Sequence, residues 1–139
     1  MSKSFKLQIV APDKPAITEE ASLVVLPGEV GEFGVMAQHM AFLSTLKPGT
    51  MRIVKGQGRE LYFVAGGFAE VNQSSVIVLA EEYERADEID VENAKLSLKK
   101  AEEKLRNEDK ADDEAARQTI LRARARLKTA EESKSYKKV

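Results

Sequence analysis

The feature that most constrains the fold is an abrupt change in composition near residue 86 of this 139-residue chain. All eight glycines and all four prolines lie at or before Gly67, whereas positions 87–139 carry 14 basic and 13 acidic residues. Glycine and proline interrupt secondary structure at turns, and dense mixed charge is typical of exposed helix faces. The sequence therefore predicts two domains, residues 1–86 and residues 87–139, with different secondary structure.

The first domain has the pattern of a sheet that is buried on one face. Phe5, Leu7 and Ile9 alternate with polar residues, which is the two-residue period of a strand. Further short apolar runs follow along the chain, separated by turn residues such as Pro27-Gly28, Gly56 to Gly58 and Gly66-Gly67. Many short strands with regularly spaced turn signals indicate a β-sandwich or barrel of about ten strands.

The second domain has the period of two amphipathic helices. Apolar residues recur three or four positions apart in two stripes, as on one face of a helix. The stripes are Val91, Ala94, Leu98, Ala101, Leu105 and Ala116, Ile120, Ala123, Leu127, Ala130. Asp87 or Asp90 can cap the first helix and Asp112 or Asp113 the second. A short connection between two striped helices predicts an antiparallel hairpin.

Half of these stripe residues are alanine, which buries less apolar area than leucine. The hairpin is therefore expected to be weakly packed. Two interpretations stay open: a hairpin that opens or swings onto a partner, and a hairpin docked permanently on the sandwich.

The chain offers little material for catalysis. It has no cysteine and one histidine, His39, so neither a Cys–His pair nor a multi-histidine metal site can form. We expect His39 at the edge of the core rather than at a metal. The clustered glycines lack the following Lys-Ser or Lys-Thr of a phosphate-binding loop. The net charge of −1 gives no general attraction to nucleic acid, and no apolar run is long enough to span a membrane. The expected protein is not an enzyme and holds no metal.

The segment from Leu26 to Gly49 is the first candidate interaction site. Its first three glycines are three residues apart, at Gly28, Gly31 and Gly34. This spacing indicates positive φ or close backbone approach, and we expect an irregular loop. Glu32 and Phe33 stand between two of these glycines. They are interpreted as a partner contact, with a tight turn bearing an exposed acid as the alternative.

The second helix carries the second candidate interaction site. Its basic residues lie on both flanks of the apolar stripe: Arg117, Arg122, Arg124, Arg126 and Lys128. A solvated face is one interpretation. Arginine pairs better than lysine with carboxylates, so the sharper interpretation is an acidic protein partner.

Two separated motifs carry a resemblance to a known family. The residues from Pro27 to Met36, with His39 and Lys47-Pro48-Gly49, resemble one signature of the epsilon subunit of bacterial F-type ATP synthases. Val64 to Val71, followed by Val76 to Ala80, resembles the second signature. The order of a strand-rich half and a charged helical half agrees over nearly the whole chain.

The resemblance implies a fold, partners and a role. Family members have an N-terminal β-sandwich and a C-terminal helical hairpin, and they belong to the rotor's central stalk. The sandwich binds the gamma subunit and the membrane c-ring, contacts that would involve Gly31, Glu32, Phe33 and His39 here. The resemblance also implies that the chain is peripheral, held by the complex at the cytoplasmic face of the bacterial inner membrane.

The resemblance also implies regulation by the hairpin. In the family the hairpin lies folded on the sandwich or extends into the catalytic head of alpha and beta subunits. When extended it inhibits ATP hydrolysis, and its basic helix meets an acidic stretch of the beta subunit. That contact would fall to Arg122, Arg124, Arg126 and Lys128.

One departure from the family bears on nucleotide binding. Some members bind ATP through an Ile/Leu-Asp-x-x-Arg-Ala motif, and this chain matches it at Ile89, Asp90 and Ala94. Asn93 replaces the arginine, whose loss removes about 1.5–3 kcal/mol of charge-assisted hydrogen bonding. Weak or absent ATP binding is expected, and no cofactor. Two alternative functions stay open: a nucleotide-sensing switch and a free-standing sandwich adaptor.

Overall fold

The computed structural model describes residues 3–38, 40–107 and 113–136. In these residues ten strands are followed by a 3₁₀ turn (Ala86–Glu88) and two helices, which confirms the predicted class of a β-sandwich with a helical hairpin. The strands are β1 (Phe5–Val10), β2 (Ile17–Ala21), β3 (Leu23–Gly28), β4 (Gly31–Met36), β5 (Phe42–Thr45), β6 (Gly49–Lys55), β7 (Gly58–Ala65), β8 (Phe68–Val71), β9 (Ser75–Leu79) and β10 (Glu82–Arg85), and the helices are α1 (Val91–Asn107) and α2 (Glu114–Tyr136).

The strands form two five-stranded sheets. The first has the order β2-β1-β9-β8-β5 and the second the order β10-β7-β6-β3-β4. Only the β1–β9 pair is parallel among the described strands. The predicted alternation in β1 is confirmed, since Phe5, Leu7 and Ile9 are all buried in the core between the sheets. The sandwich therefore follows directly from the two-residue period of its strands.

The bend between β7 and β8 requires glycine. Gly67 has a φ of +89°, and a Cβ at this position would come within 1.8 Å of the carbonyl oxygen of Leu79. No other residue fits so close to the neighbouring backbone. The predicted turn at Gly66-Gly67 is thereby explained by steric contact as well as by φ.

The prediction of an irregular loop at Gly31 to Gly34 is wrong. These residues lie in β4, which pairs with β3 along its whole length as a hairpin. Gly28 pairs with Gly31 around a two-residue tip, and a Cβ on Gly28 would lie 2.6 Å from the Gly31 carbonyl oxygen. The glycines thus permit a tight hairpin closure rather than a loop. His39 lies outside the described residues.

The helices begin where side-chain caps were predicted. The Asp90 carboxylate accepts a hydrogen bond from the Asn93 backbone N–H, and Asp113 accepts one from Ala116, both at 3.0 Å. Asp87 lies instead in the 3₁₀ turn, and Asp112 lies outside the described residues. The caps at Asp90 and Asp113 satisfy amide donors that each helix leaves unpaired.

The two helices run antiparallel, as predicted. Late α1 meets early α2 through Lys104 and Asp113, while early α1 meets late α2 through Asn93 and Arg126. The predicted stripes face each other, and their alanines are buried: Ala94, Ala101, Ala116, Ala123 and Ala130. No described helix combines the length and the apolar character needed to cross a bilayer.

The hairpin packs on the outer face of the second sheet. Phe63 and Ala65 of β7 point away from the sandwich core and are covered by Ile89 and Ala130. Strand β7 is consequently buried on both faces from Leu61 to Ala65. This second, smaller apolar cluster places α2 against the sandwich.

Candidate functional site

The candidate functional site is the surface along which α2 contacts the second sheet. At its centre the Thr50 and Thr129 hydroxyl oxygens are 2.6 Å apart, and both residues are buried. The Thr129 hydroxyl also lies 2.8 Å from the Ala125 carbonyl oxygen, to which it donates. Thr50 therefore donates to Thr129, and both buried hydroxyl groups are satisfied.

Arg52 of β6 joins this surface to the β3–β4 hairpin. Its guanidinium donates two hydrogen bonds to the Glu132 carboxylate of α2, one of them Nη2 to Oε1 at 2.8 Å. It donates a third to Glu32 of β4 at 2.6 Å. The hydrogen bonds to Glu132, with those to Glu32, raise the pKa of Arg52 despite its partial burial. Arg52 is thus a fixed cation between two carboxylates from separate elements.

A second arginine holds the opposite flank of α2. Arg126 makes two hydrogen bonds to the Glu84 carboxylate of β10, at 2.9 and 3.1 Å. Its remaining nitrogen lies 3.4 Å from the Asn93 side-chain oxygen on α1. One guanidinium therefore connects α2, α1 and the sandwich.

The other predicted basic residues have looser partners. Arg122 reaches Glu81 at 3.3 Å and Arg124 reaches Glu102 of α1 at 3.2 Å. Lys128 is exposed beside the start of β6. The four residues thus divide between two flanks, with Arg122 and Arg126 towards β10 and Arg124 and Lys128 towards Pro27 and Lys47.

The predicted residues of the β3–β4 hairpin point in different directions. Glu32 faces Arg52 and α2, whereas the Phe33 ring packs edge-on against Phe42 with centroids 5.3 Å apart. Gly31 is exposed next to the hairpin tip, where Val30 is fully exposed. Val30 was not predicted as a candidate, although a valine at an exposed tip marks a surface that can contact a partner.

The three residues that match the nucleotide motif all have structural contacts. Ile89 is buried beneath α2, Ala94 is buried in the helix seam, and Asp90 caps α1. The Asn93 side chain is beside Arg126. The structure therefore brings the motif together with Glu84 and Arg126 at the base of the hairpin.

Sequence reasoning missed Arg52, Glu132 and the threonine pair. A signal was present, because Ala125, Thr129 and Glu132 are four and three residues apart and form a second face of α2. Arg52 carries no comparable local signal, since its partner is 80 residues away.

An ion-pair network lies beside the turn between β6 and β7, next to the end of β10. Lys55 contacts Glu60 and reaches Glu19 at 3.1 Å, and Arg85 reaches Glu60 at 3.0 Å. Burial alone would raise the pKa of Glu60, but the hydrogen bond from Lys55 and the charges of Lys55 and Arg85 outweigh it and lower the pKa. The network ties β2, β6 and β7 to β10, just before the helices begin.

Comparisons with known proteins agree over both domains. Residues 4–86 match the family described as ATP synthase, Delta/Epsilon chain, beta-sandwich domain. A protein of Syntrophobacter fumaroxidans named ATP synthase epsilon chain is 42% identical over 134 residues, which is 96% of this chain and all of the relative. The epsilon chain of Bordetella parapertussis is 45% identical over 111 residues, 78% of this chain and 79% of the relative.

Solved structures of ATP synthases contain chains with the same fold. A chain in the Euglena gracilis mitochondrial ATP synthase, OSCP/F1/c-ring structure, superposes with a TM-score of 0.69 at 26% identity, covering 96% of this chain and 81% of that one. A chain of the Tetrahymena thermophila mitochondrial ATP synthase central stalk/c-ring shares the fold, with a TM-score of 0.62 at 12% identity over 93% of this chain and 98% of that one. The chain therefore belongs to the ATP synthase delta/epsilon family.

Proposed function

We propose that this chain is a non-catalytic rotor subunit of the central stalk of an F-type ATP synthase. It couples rotation of the c-ring to the catalytic head through the gamma subunit. The observation that carries the proposal is the alignment with proteins named ATP synthase epsilon chain, which includes the hairpin as well as the sandwich. The complex would hold the chain at the cytoplasmic face of the bacterial inner membrane.

Within this role, the division at residue 86 separates assembly from regulation. The sandwich, residues 1–86, would bind gamma and the c-ring, and the β3–β4 hairpin with Gly31, Glu32, Phe33 and the neighbouring His39 would supply ring and gamma contacts. The exposed tip at Val30 supports this placement, because it projects unshielded apolar surface. A free-standing adaptor, the alternative, would not co-purify with gamma and c subunits.

The hairpin, residues 87–139, would restrain ATP hydrolysis after leaving the sandwich. Its docking rests on a small apolar cluster and on ion pairs from α2 to the sandwich, of which Arg122–Glu81 is partly exposed, while Arg124 and Glu102 form an exposed ion pair within the hairpin. Exposed pairs contribute only about 0–1 kcal/mol each. An acidic stretch of the beta subunit could therefore compete for Arg122, Arg124 and Lys128, and would have to displace Glu84 to reach Arg126.

Deletion of residues 87–139 tests this division. The truncated chain should still assemble with gamma and the c-ring, and the complex should hydrolyse ATP faster than the intact complex. The deletion uncovers Phe63 and Ala65, so circular dichroism of the sandwich is the control for folding. Assembled complexes with unchanged hydrolysis would contradict an inhibitory hairpin.

ATP binding to the docked hairpin should be weak or absent. Asn93 stands where the motif has arginine, and Arg126, the nearest cation, already makes two hydrogen bonds to Glu84. A phosphate group would have to displace that carboxylate. Calorimetry of the purified chain with ATP should give no saturable heat at micromolar protein, and tight binding would favour the nucleotide-sensing switch instead.

A further inference from the structure

An open cleft separates the middle of α2 from the start of β6. Its volume is about 270 Å³, which is below the range of about 300–1,000 Å³ usual for drug-sized ligands. The sandwich contributes Lys47 and Arg52 to its lining, and α2 contributes Arg124 and Lys128. Both halves of the cleft are therefore needed to form it, and it exists only while the hairpin is docked.

The charge of this lining is strongly unbalanced. Glu32 is the single acidic residue among the described residues that line the cleft, and its carboxylate is already hydrogen-bonded to Arg52. The Lys47 and Lys128 ammonium groups make no hydrogen bond or ion pair with any described residue. Lys47 from the sandwich and Lys128 from α2 thus both line the cleft without a partner among the described residues, in a chain whose net charge is −1.

Arg124 adds a third cation that can turn towards the cleft. Its only described ion pair, with Glu102, is 3.2 Å long and its side chain is 61% exposed. Such a pair contributes little and can be exchanged for a better acceptor. Arginine also presents two parallel donors that match the oxygens of a phosphate.

We propose that this cleft binds a small phosphate-class dianion, either free phosphate or a phosphate monoester, between Lys47 of the sandwich and Lys128 and Arg124 of α2. The bound anion reduces the repulsion between the two sides and joins α2 to the sandwich. The aliphatic walls, Pro27, Pro48 and Leu121, offer no aromatic ring on which a nucleobase could stack. The cleft is also separate from Asn93, Glu84 and Arg126, which lie on the opposite flank of α2.

The proposal depends only on the docked hairpin and not on the rotor role. It is tested on the full purified chain by titrating inorganic phosphate against chloride at constant ionic strength. Thermal unfolding should shift upward saturably with phosphate, because a ligand that binds only the folded state stabilises it. Amide exchange in α2 between Leu121 and Thr129 should slow in parallel, since the anion bridges that segment to β6.

Two variants that remove the same charge distinguish a specific phosphate site from general screening of surface charge. The double variant K47Q/K128Q should lose at least tenfold in phosphate affinity. The control K6Q/K99Q removes two exposed lysines outside the cleft and should bind phosphate like the unmodified chain. Equal affinities for both variants, or a shift that never saturates, would overturn the proposal.

A second titration distinguishes a phosphate monoester from free phosphate as the bound anion. Glycerol 3-phosphate, a soluble phosphate monoester, is titrated beside inorganic phosphate. Tighter, K47Q/K128Q-sensitive binding of the ester supports the site and identifies a phosphorylated organic ligand, whereas tighter binding of phosphate identifies the free anion. Binding of neither probe contradicts the site.

Discussion

At the scale of single residues, Arg52 is the centre of the polar contacts that hold α2. Its guanidinium bonds Glu132 on the helix and Glu32 on β4 at the same time. Both Arg52 and Glu132 are mostly buried, with 23% and 19% of their side chains exposed. Such a pair contributes more than a surface ion pair, because water competes with it less.

Neutralising Glu132 should loosen the docked helix. For E132Q we expect the free energy of unfolding to fall by about 1–3 kcal/mol, since one charge-assisted pair of hydrogen bonds is weakened and Arg52 stays partly buried. The control is E131Q, which removes the same charge from the exposed neighbouring position. Urea denaturation measures both, and equal stabilities for the two variants would contradict the role given to Arg52.

The buried threonine pair gives a second prediction at the residue scale. T129V removes one hydroxyl and leaves Thr50 without its acceptor, which should lower the free energy of unfolding by about 1–3 kcal/mol. The double variant T50V/T129V should recover most of this loss, because both polar groups are then absent. A double-mutant cycle measures the coupling, and additive losses would show that the hydroxyl groups do not interact.

At the scale of elements, the strands, helices and helix caps that depend on neighbouring residues could be predicted from the sequence. The period of β1, the two helix stripes and the caps Asp90 and Asp113 could all be derived from neighbouring residues, and the structure confirms them. Strand β4 was not predicted because closely spaced glycines usually interrupt a strand. In the structure, Gly28 at the end of β3 and Gly31 at the start of β4 instead close a hairpin.

Long-range contacts account for the rest of what sequence reasoning missed. The five consecutive buried residues of β7 are explained only by α2 covering the outer face of the sheet. The pairing of Arg52 with Glu132 spans 80 residues and leaves no mark in the sequence around Arg52. Docking of the hairpin on the sandwich was therefore one of the interpretations that the sequence left open, but the residues that pair across the docking surface could not be predicted.

The ion-pair network that joins β2, β6, β7 and β10 gives a pH prediction. The pKa of Glu60 is lowered below its ordinary value of 4.5 in the folded chain, so its charge stabilises the fold above that pH. This stability is lost as the pH falls through the folded-state pKa. E60Q should therefore unfold more easily than the unmodified chain at pH 7, and the difference should shrink below about pH 4.5.

The pH dependence is measured by urea denaturation between pH 3 and pH 7. E70Q, at an exposed position of β8, is the control for loss of one negative charge. A difference between E60Q and the unmodified chain that stays constant over this range would contradict a stabilising, ionised Glu60.

At the scale of the whole molecule, a small set of contacts holds the hairpin to the sandwich. These contacts are a small apolar cluster, one buried hydroxyl pair and several ion pairs. Under the proposed function, the sandwich would stay in the rotor while the helices move. Under the same proposal, the docked hairpin does not inhibit ATP hydrolysis, and inhibition requires the helices to leave the sandwich.

A reversible disulfide across the docking surface tests that claim most directly. The Thr50 and Thr129 hydroxyl oxygens are in direct contact at 2.6 Å, so cysteine sulfurs at these positions would be close neighbours, as a disulfide requires, and the chain has no other cysteine. ATP hydrolysis is measured in ATP synthase assembled with T50C/T129C. The account predicts faster hydrolysis when the disulfide is formed and return of inhibition on reduction, with no redox effect in T50C alone. Equal rates before and after complete disulfide formation would contradict it.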